Sequence, residues 1–75
     1  MKRHEKFLEM INHPINGKLI KKLNTSEKFE VVQFLVDREH LSDDDFMFQA
    51  NRWYLDTKEK PKHLTEMWAI VTQCK

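Results

Sequence analysis

Apolar residues are most concentrated in the segment 25–40, TSEKFEVVQFLVDREH. Six of them fall within eight positions: Phe29, Val31, Val32, Phe34, Leu35 and Val36. As a helix, this segment would be apolar on more than one face, which is typical of a helix with neighbours on several sides. The alternative is a buried strand, because β-branched valines suit a pleated sheet. The residues at the two ends of the segment decide between these alternatives.

The ends of the segment favour a central helix. Thr25 or Ser26 can act as the N-cap, because either hydroxyl group can accept a hydrogen bond from a free N–H of the first turn. Two acidic residues lie in that turn, where the helix dipole favours anions: Glu27 and Glu30. Two basic residues close the segment: Arg38 and His40.

Two shorter helices are predicted before the central one. The first spans residues 2–12, and its apolar side carries Phe7, Leu8, Met10 and Ile11. Pro14 ends this helix, because the residue before a proline is disfavoured in the helical conformation. Proline also suits the first turn of a following helix. In that second helix the apolar residues recur at four-residue steps: Ile15, Leu19 and Leu23.

The sequence LSDDDF at residues 41–46 predicts the start of a fourth helix. Ser42 is a good N-cap, and the three aspartates after it stand where the dipole attracts carboxylates. Asp45 can also reach back to Ser42 as a shortened capping box. The helix should run to about Thr57. Its apolar side carries Phe46, Met47, Ala50, Trp53 and Tyr54.

A last helix is expected to open at Pro61 and to carry an apolar stripe. Leu64, Met67, Trp68 and Val71 follow the i, i+3, i+4, i+7 spacing of one helix face. The stripe can complete the core or dock into a groove on a partner, and core packing is the more common use. With their short connections, the five segments predict an all-α fold. We expect a compact single domain over residues 1–75, a bundle of four to five short helices.

Length and composition agree with one small domain. Seventy-five residues provide one hydrophobic core, and the values of 40% hydrophobic and 33% charged residues are those of globular proteins. The single cysteine, Cys74, excludes an internal disulfide and fits a reducing compartment. The sequence shows neither a signal peptide nor an apolar run long enough to cross a membrane, so we expect a cytoplasmic protein. A domain this small is marginally stable, which favours a partner or a homo-oligomer.

No pattern predicts a metal site, a cofactor or a catalytic centre. The run Asp43–Asp45 lacks the other ligands of a calcium loop and is typical of a charged helix start. None of the four histidines has a second ligand at zinc spacing. Cys74 lies beside the C-terminus, where we expect fraying that would not hold a nucleophile in place. Gly17 is the only glycine, so no phosphate-binding loop exists, and we expect no enzymatic activity.

Nucleic-acid binding is not favoured either. Lys+Arg 13 and Asp+Glu 12 nearly balance, so the chain has no global positive field. Lysines cluster within residues 18–28 and 58–62, but the central helix, which would have to read a DNA groove, exposes several carboxylates. Lysine clusters of this size are usually solvated faces. A small nucleic-acid-associated regulator is kept as an alternative.

The aromatic residues favour protein binding. The chain has five phenylalanines, two tryptophans and one tyrosine, more than a small core alone requires. Tryptophan and tyrosine are the usual anchors of protein interfaces. The predicted interface residues combine these aromatics with the last apolar stripe: Trp53, Tyr54, Leu64, Met67, Trp68 and Val71.

Over residues 5–50 the order of features resembles the Nif-eleven family, small helical domains associated with nitrogen-fixation genes. The matching features are Phe7-Leu8, Pro14, Leu19 and Leu23, Glu30-Val31-Val32, and Leu41 to Phe46. Family members also serve as leaders of ribosomally made, enzymatically modified peptides. The chain departs from the family at Glu39-His40-Leu41, where members usually carry a glycine before an aromatic residue. The resemblance implies a non-catalytic domain that other proteins recognise.

The sequence therefore predicts a small non-catalytic protein-binding module, such as an adaptor, an inhibitor or an enzyme-recognised scaffold. The partner would be another protein of unknown identity. The first alternative is the leader or precursor of a ribosomally made modified peptide, which follows from the resemblance. The second is the nucleic-acid-associated regulator.

Overall fold

Four helices are seen in the computed structural model, which describes residues 2–13 and 20–75. They are α1 (Arg3–Asn12), α2 (Thr25–Asp37), α3 (Asp43–Asp56) and α4 (Leu64–Gln73). The described part of the chain contains no strand, and the all-α prediction is confirmed. The predicted helix from Pro14 falls mostly outside the described residues, of which Ile20 and Lys21 are helical.

One hydrophobic core joins the four helices. Helix α1 packs on α2, and α4 packs on both α2 and α3. Every helix contributes side chains with 0% exposure, and Cys74 after the last helix adds another: Phe7, Val31, Leu35, Phe46, Ala50, Met67, Ile70, Val71 and Cys74. The Cα radius of gyration of 11.5 Å is close to the value of about 11 Å expected for a folded chain of this length.

The central helix is present, but its N-cap differs from the prediction. Asn24, and not Thr25 or Ser26, caps α2. The Asn24 side chain accepts the N–H of Glu27 at 2.8 Å, and the Glu27 carboxylate accepts the N–H of Asn24 at 2.9 Å. This reciprocal capping box satisfies two N–H groups at once, and it places Thr25 and Ser26 inside the first turn. At the other end, Arg38 is the C-cap, whereas His40 lies in the turn beyond the helix.

The cap of α2 gives a direct stability test. Asn24→Ala should lower the free energy of unfolding by about 1 kcal/mol, because the first turn loses its side-chain acceptor. Ser26→Ala is the matched control: its hydroxyl group has no capping role, so we expect little change. Urea denaturation followed by circular dichroism measures both. A larger loss for Ser26→Ala than for Asn24→Ala would contradict the observed cap.

The boundaries of α3 confirm the prediction, and those of α4 correct it. Ser42 caps α3 by accepting the N–H of Asp45 at 3.2 Å, and Thr57 ends the helix as its C-cap. The return bond expected of a capping box is not formed between Ser42 and Asp45.

Helix α4 begins at Leu64 and not at Pro61. The Pro61 carbonyl instead accepts the N–H of Leu64 at 3.1 Å, in a turn before the helix.

Several apolar residues expected in the core are exposed. In α2, the exposed fractions are 68% for Phe29 and 45% for Val36, and in α1 the value for Leu8 is 45%. Phe29 and Val36 are seven residues apart, and because seven residues make two helical turns, they lie on the same side of α2. This side faces away from the buried residues of the helix. The apolar excess of the central helix therefore reflects an exposed apolar strip, not a helix enclosed on all sides.

Candidate protein-binding surface

The predicted interface residues are divided between the core and the surface. Leu64 is 3% exposed, and Met67 and Val71 are 0% exposed. These three side chains pack inside the domain, as expected for a stripe that completes the core, and present no surface to a partner. Ile70, also at 0% exposure, extends the buried face of α4. Trp53, Tyr54 and Trp68 are partly buried.

Tyr54 and Trp68 form a pair between α3 and α4. Their ring centroids lie 5.1 Å apart, and the planes are inclined by 49°. The indole N–H of Trp68 donates to the Asn51 side-chain oxygen at 3.1 Å, and the Tyr54 hydroxyl lies 3.0 Å from that of Thr65. Because both polar groups are already bonded within the domain, the pair holds the two helices together.

Trp53 belongs to a different surface. Its ring lies 4.8 Å from that of Phe34 in α2, measured between centroids. Trp53 and Tyr54 are neighbours in the chain, but successive helical residues point about 100° apart. They therefore face α2 and α4 respectively. The six predicted residues do not form one continuous interface.

The partly exposed face of Trp53 lies in a groove beside α2, which we call the Trp53 groove. Its apolar part consists of Phe34, Trp53 and Pro61. Three carboxylates and one guanidinium stand around this part: Glu30, Asp37, Glu59 and Arg38. A concave apolar surface with a few polar groups at its edge is the usual form of a recognition site. The excess of carboxylates gives this groove a negative rim.

Arg38 is fixed in the wall of the groove. Its guanidinium lies 3.9 Å from the centroid of the Phe34 ring, which is a cation–π contact. Its Nε donates to the Gln49 side-chain oxygen at 3.0 Å, and its Nη1 donates to the Phe34 carbonyl at 3.3 Å. Because these contacts already order the side chain, a ligand that binds here orders little more of the protein.

Two large apolar side chains on the outer side of α3 were not part of the predicted interface. Phe48 is 64% exposed and Leu55 is 71% exposed. Phe48 also lines a shallow depression that shares Arg38 and Trp53 with the groove. The seven-residue spacing of Phe48 and Leu55, opposite the buried Phe46 and Ala50, is a signal the sequence contains.

A polar cluster, the Arg3–Glu39 clamp, joins the start of α1 to the turn between α2 and α3. The Glu39 carboxylate accepts the N–H groups of Arg3 at 3.1 Å and of His4 at 2.9 Å. The His4 ring nitrogen Nδ1 lies 2.8 Å from the same carboxylate. Lys2, the N-cap residue of α1, makes no side-chain cap, so Glu39 caps the helix from the turn.

Arg3 completes the clamp in the opposite direction. Its Nη1 donates to the carbonyl of Arg38 at 3.1 Å, and its Nη2 donates to the Leu41 carbonyl at 2.9 Å and to Asp43 at 3.0 Å. The guanidinium also lies 4.3 Å from the centroid of the Phe46 ring. Arg3 is only 7% exposed, because its partners in a distant part of the chain cover it.

The clamp makes stability depend on pH in a defined direction. Burial alone would raise the pKa of Glu39, but the hydrogen bonds from His4 and Arg3 outweigh burial and hold that pKa below its usual value of 4.5. The charged carboxylate is therefore favoured in the fold. Its contribution is fully present above the ordinary pKa and is lost as pH falls through the lowered native value.

We expect Glu39→Gln to be less stable than the parent at neutral pH, and this difference to shrink as pH falls. Urea midpoints of both proteins between about pH 7 and about pH 3 measure it. Glu5→Gln, at an exposed position of α1, is the control and should show no such convergence. A constant difference across this range would show that the Glu39 charge does not stabilise the fold.

Cys74 is buried, not frayed as the sequence indicated. Its exposure is 0%, and its Sγ lies 3.8 Å from the Sδ of Met10. Burial raises the pKa of Cys74 from 9.0 to about 11, although the nearby Lys6 charge acts in the other direction. The thiol is therefore protonated and covered near neutral pH, which makes it a core residue and not a nucleophile.

A labelling experiment tests the state of this thiol. We expect Cys74 to react slowly with an aromatic disulfide reagent in the folded protein at about pH 8, because only the exposed thiolate attacks. In denaturant the same thiol should react at the rate of a free cysteine. Absorbance of the released thiolate measures both rates. Equal rates in the two conditions would contradict the buried position.

The described residues contain no cluster of three or more histidine, cysteine, aspartate or glutamate side chains placed to hold a metal ion. In the same part of the chain, no helix is long and apolar enough to cross a membrane. Comparison of the chain with protein-family models, curated proteins and solved structures gave no match. The resemblance to the Nif-eleven family stays a prediction.

Proposed function

We propose that this chain is a small non-catalytic protein-binding module and that the Trp53 groove is its binding surface. The observation that carries the proposal is a partly exposed tryptophan beside an arginine whose side chain is already fixed. Tryptophan and arginine are the residue types that most often dominate binding energy at protein interfaces. A rigid pair of this kind loses little entropy on binding.

The charges around the groove support a basic ligand. Glu30, Asp37 and Glu59 stand at its rim, against the single positive charge of Arg38. Asp37 already accepts a hydrogen bond from Gln33 at 2.8 Å, so Glu30 and Glu59 are the carboxylates more available to a ligand. We therefore propose a peptide segment of a partner protein with an apolar anchor and a nearby lysine or arginine. Complementary charge of this kind increases the association rate and the specificity.

Selection from a random peptide library tests the proposal without knowledge of the natural partner. The purified chain should enrich peptides that combine an aromatic or aliphatic residue with basic residues. The double variant Glu30→Lys/Glu59→Lys should weaken their binding by at least about tenfold, because the rim changes sign. Both positions are exposed, so the fold should be kept. Calorimetry with the enriched peptides gives the affinities.

The matched control is Glu5→Lys/Glu9→Lys, which makes the same change in net charge on exposed positions of α1. It should bind the peptides as the parent does. Equal loss in both double variants would mean that only net charge matters, and the groove would be the wrong surface. Failure to enrich any peptide family above background would count against the binding function itself.

A further inference from the structure

The Arg3–Glu39 clamp forms part of the wall of a cavity near the start of α1, which we call the lysine cavity. Its volume is about 390 Å³, within the range of small-molecule sites. Four cationic and two anionic side chains line it: Lys2, Arg3, Lys6, Lys75, Glu39 and Asp43. Among the described residues of its wall, only Leu41 is apolar. The lysine cavity is therefore a polar site with an excess of positive charge.

The two carboxylates of the cavity are already compensated within the domain. Glu39 accepts the N–H groups of Arg3 and His4 and lies 2.8 Å from the His4 ring nitrogen. Asp43 lies 3.0 Å from Nη2 of Arg3 and is 72% exposed, so water weakens its repulsion of an anion. Because Glu39 also occupies the N–H groups at the start of α1, the positive charge open to a ligand comes from side chains.

Three lysines supply this charge. Lys2 and Lys6 are four residues apart and therefore share one side of α1. The Lys6 Nζ donates to the Lys75 carbonyl at 2.7 Å, which brings the end of the segment after α4 to the same cavity. Within the described part of the chain, none of the three lysines forms an ion pair with a carboxylate. Like charges around one cavity repel each other, and an anion between them would relieve that repulsion.

The guanidinium of Arg3 gives a second, independent observation. Its nitrogens Nη1 and Nη2 make four contacts with the carbonyls of the turn and with Asp43. A guanidinium has five N–H donors, and the fifth, at Nε, is buried without a hydrogen-bond partner. An unpaired buried polar group is rare in a folded protein and often has a functional role. An anion in the cavity would compensate the charge of the guanidinium through space, without a direct bond to Nε.

We infer that the lysine cavity binds the phosphate group of a small phosphorylated molecule. The cations of its wall outnumber the carboxylates by two, which matches the charge of a phosphate monoester, about −1.5 to −2. Lysine is a common phosphate ligand and acts as a point charge. The volume holds more than a phosphate group, since a water molecule takes only about 30 Å³. With a polar wall and no aromatic ring among its described residues, the cavity suits a hydroxylated ligand such as a sugar phosphate or glycerol phosphate.

Titration of the isotope-labelled chain with glycerol phosphate, inorganic phosphate and adenosine monophosphate, followed by NMR at constant ionic strength, tests this site. Glycerol phosphate should bind most tightly and should shift the amide signals of Lys2 and Lys6. Sulfate should compete with it better than acetate, because sulfate carries two charges. Lack of saturable binding of all three phosphates would overturn the site. Equal or tighter binding of inorganic phosphate or of the nucleotide would overturn the hydroxylated ligand.

The double variant Lys2→Met/Lys6→Met should weaken glycerol phosphate binding by at least about tenfold, because two charged donors are lost. Lys58→Met/Lys62→Met is the matched control, since it removes the same charge from exposed positions outside the cavity. It should bind glycerol phosphate as the parent does. Equal loss in both double variants would mean that only net charge matters, and the site would be refuted.

Lys75→Met is a second test, at an exposed position after α4 where the fold should be kept. It should weaken glycerol phosphate binding several-fold, because one of the three lysines is removed. Circular dichroism confirms that each variant is folded. Binding by Lys75→Met at the affinity of the parent would overturn the arrangement of three lysines around one ligand.

This inference does not depend on the Trp53 groove, with which the lysine cavity shares no lining residue. Lys2→Met/Lys6→Met should still bind the selected peptides, and Glu30→Lys/Glu59→Lys should still bind glycerol phosphate. Loss of phosphate binding alone would therefore leave the proposed function intact. Loss of both activities in either variant would contradict two separate sites.

Discussion

Replacement of Phe46 by alanine should lower the free energy of unfolding by about 3–5 kcal/mol, the range found for buried phenylalanines. Phe46 is 0% exposed and packs edge-on against the Phe34 ring, with the two centroids 5.9 Å apart. The substitution would also remove the ring below the Arg3 guanidinium. Small domains have only about 5–15 kcal/mol of stability in total, so this loss should leave a large unfolded fraction on mild heating.

Urea denaturation followed by tryptophan fluorescence and circular dichroism measures this effect. Phe48→Ala provides the matched control two residues further along the same helix, where the ring is 64% exposed. It should change the midpoint little, because a mostly exposed ring contributes little buried apolar area. Similar midpoints for Phe46→Ala and Phe48→Ala would show that α3 does not bury the face described here.

The second large effect is expected at Arg3. Its substitution by methionine keeps much of the apolar stem but removes every donor to the turn between α2 and α3. The carbonyls of Arg38 and Leu41 then lose a charged partner, and hydrogen bonds to charged groups contribute about 1.5–3 kcal/mol. Arg3 also approaches Asp43 at 3.0 Å, but that carboxylate is 72% exposed, so water can replace the contact.

We therefore expect Arg3→Met to be destabilised by about 2–3 kcal/mol. Lys2→Met is the control, because Lys2 is exposed and carries the same charge one residue earlier. Thermal unfolding by circular dichroism distinguishes the two variants. Lys2→Met should melt close to the parent. A parent-like melting temperature for Arg3→Met would mean that water molecules can replace the guanidinium as hydrogen-bond donors to the carbonyls of Arg38 and Leu41.

The fold could be predicted from the sequence where the signals are local. The cap at Ser42 and the three aspartates after it fix the start of α3, since both effects act within one helical turn. The spacing of Leu64, Met67 and Val71 gives the buried face of α4 for the same reason. The cap of α2 was assigned one or two residues late, because Asn24, Thr25 and Ser26 are all good capping residues.

The surfaces could be predicted less well, because they depend on which neighbour each helix meets. Periodicity identified Trp53 and Tyr54 as inward-facing, but it does not state that one meets α2 and the other α4. The density of apolar residues in the central segment also suggested that Phe29 has a neighbour to cover it, but its side chain is 68% exposed. The burial of Arg3 has no local signal at all.

The Arg3–Glu39 clamp also has a consequence for the order of folding events. Its contacts join residues 35 to 40 positions apart, so the chain must close a long loop before any of them can form. Helices α3 and α4 are joined by a short connection and can meet earlier. Interactions that form after the transition state act on the unfolding rate and hardly on the folding rate. The clamp would then mainly lower the unfolding rate, because α1 cannot separate from the folded domain until these contacts break.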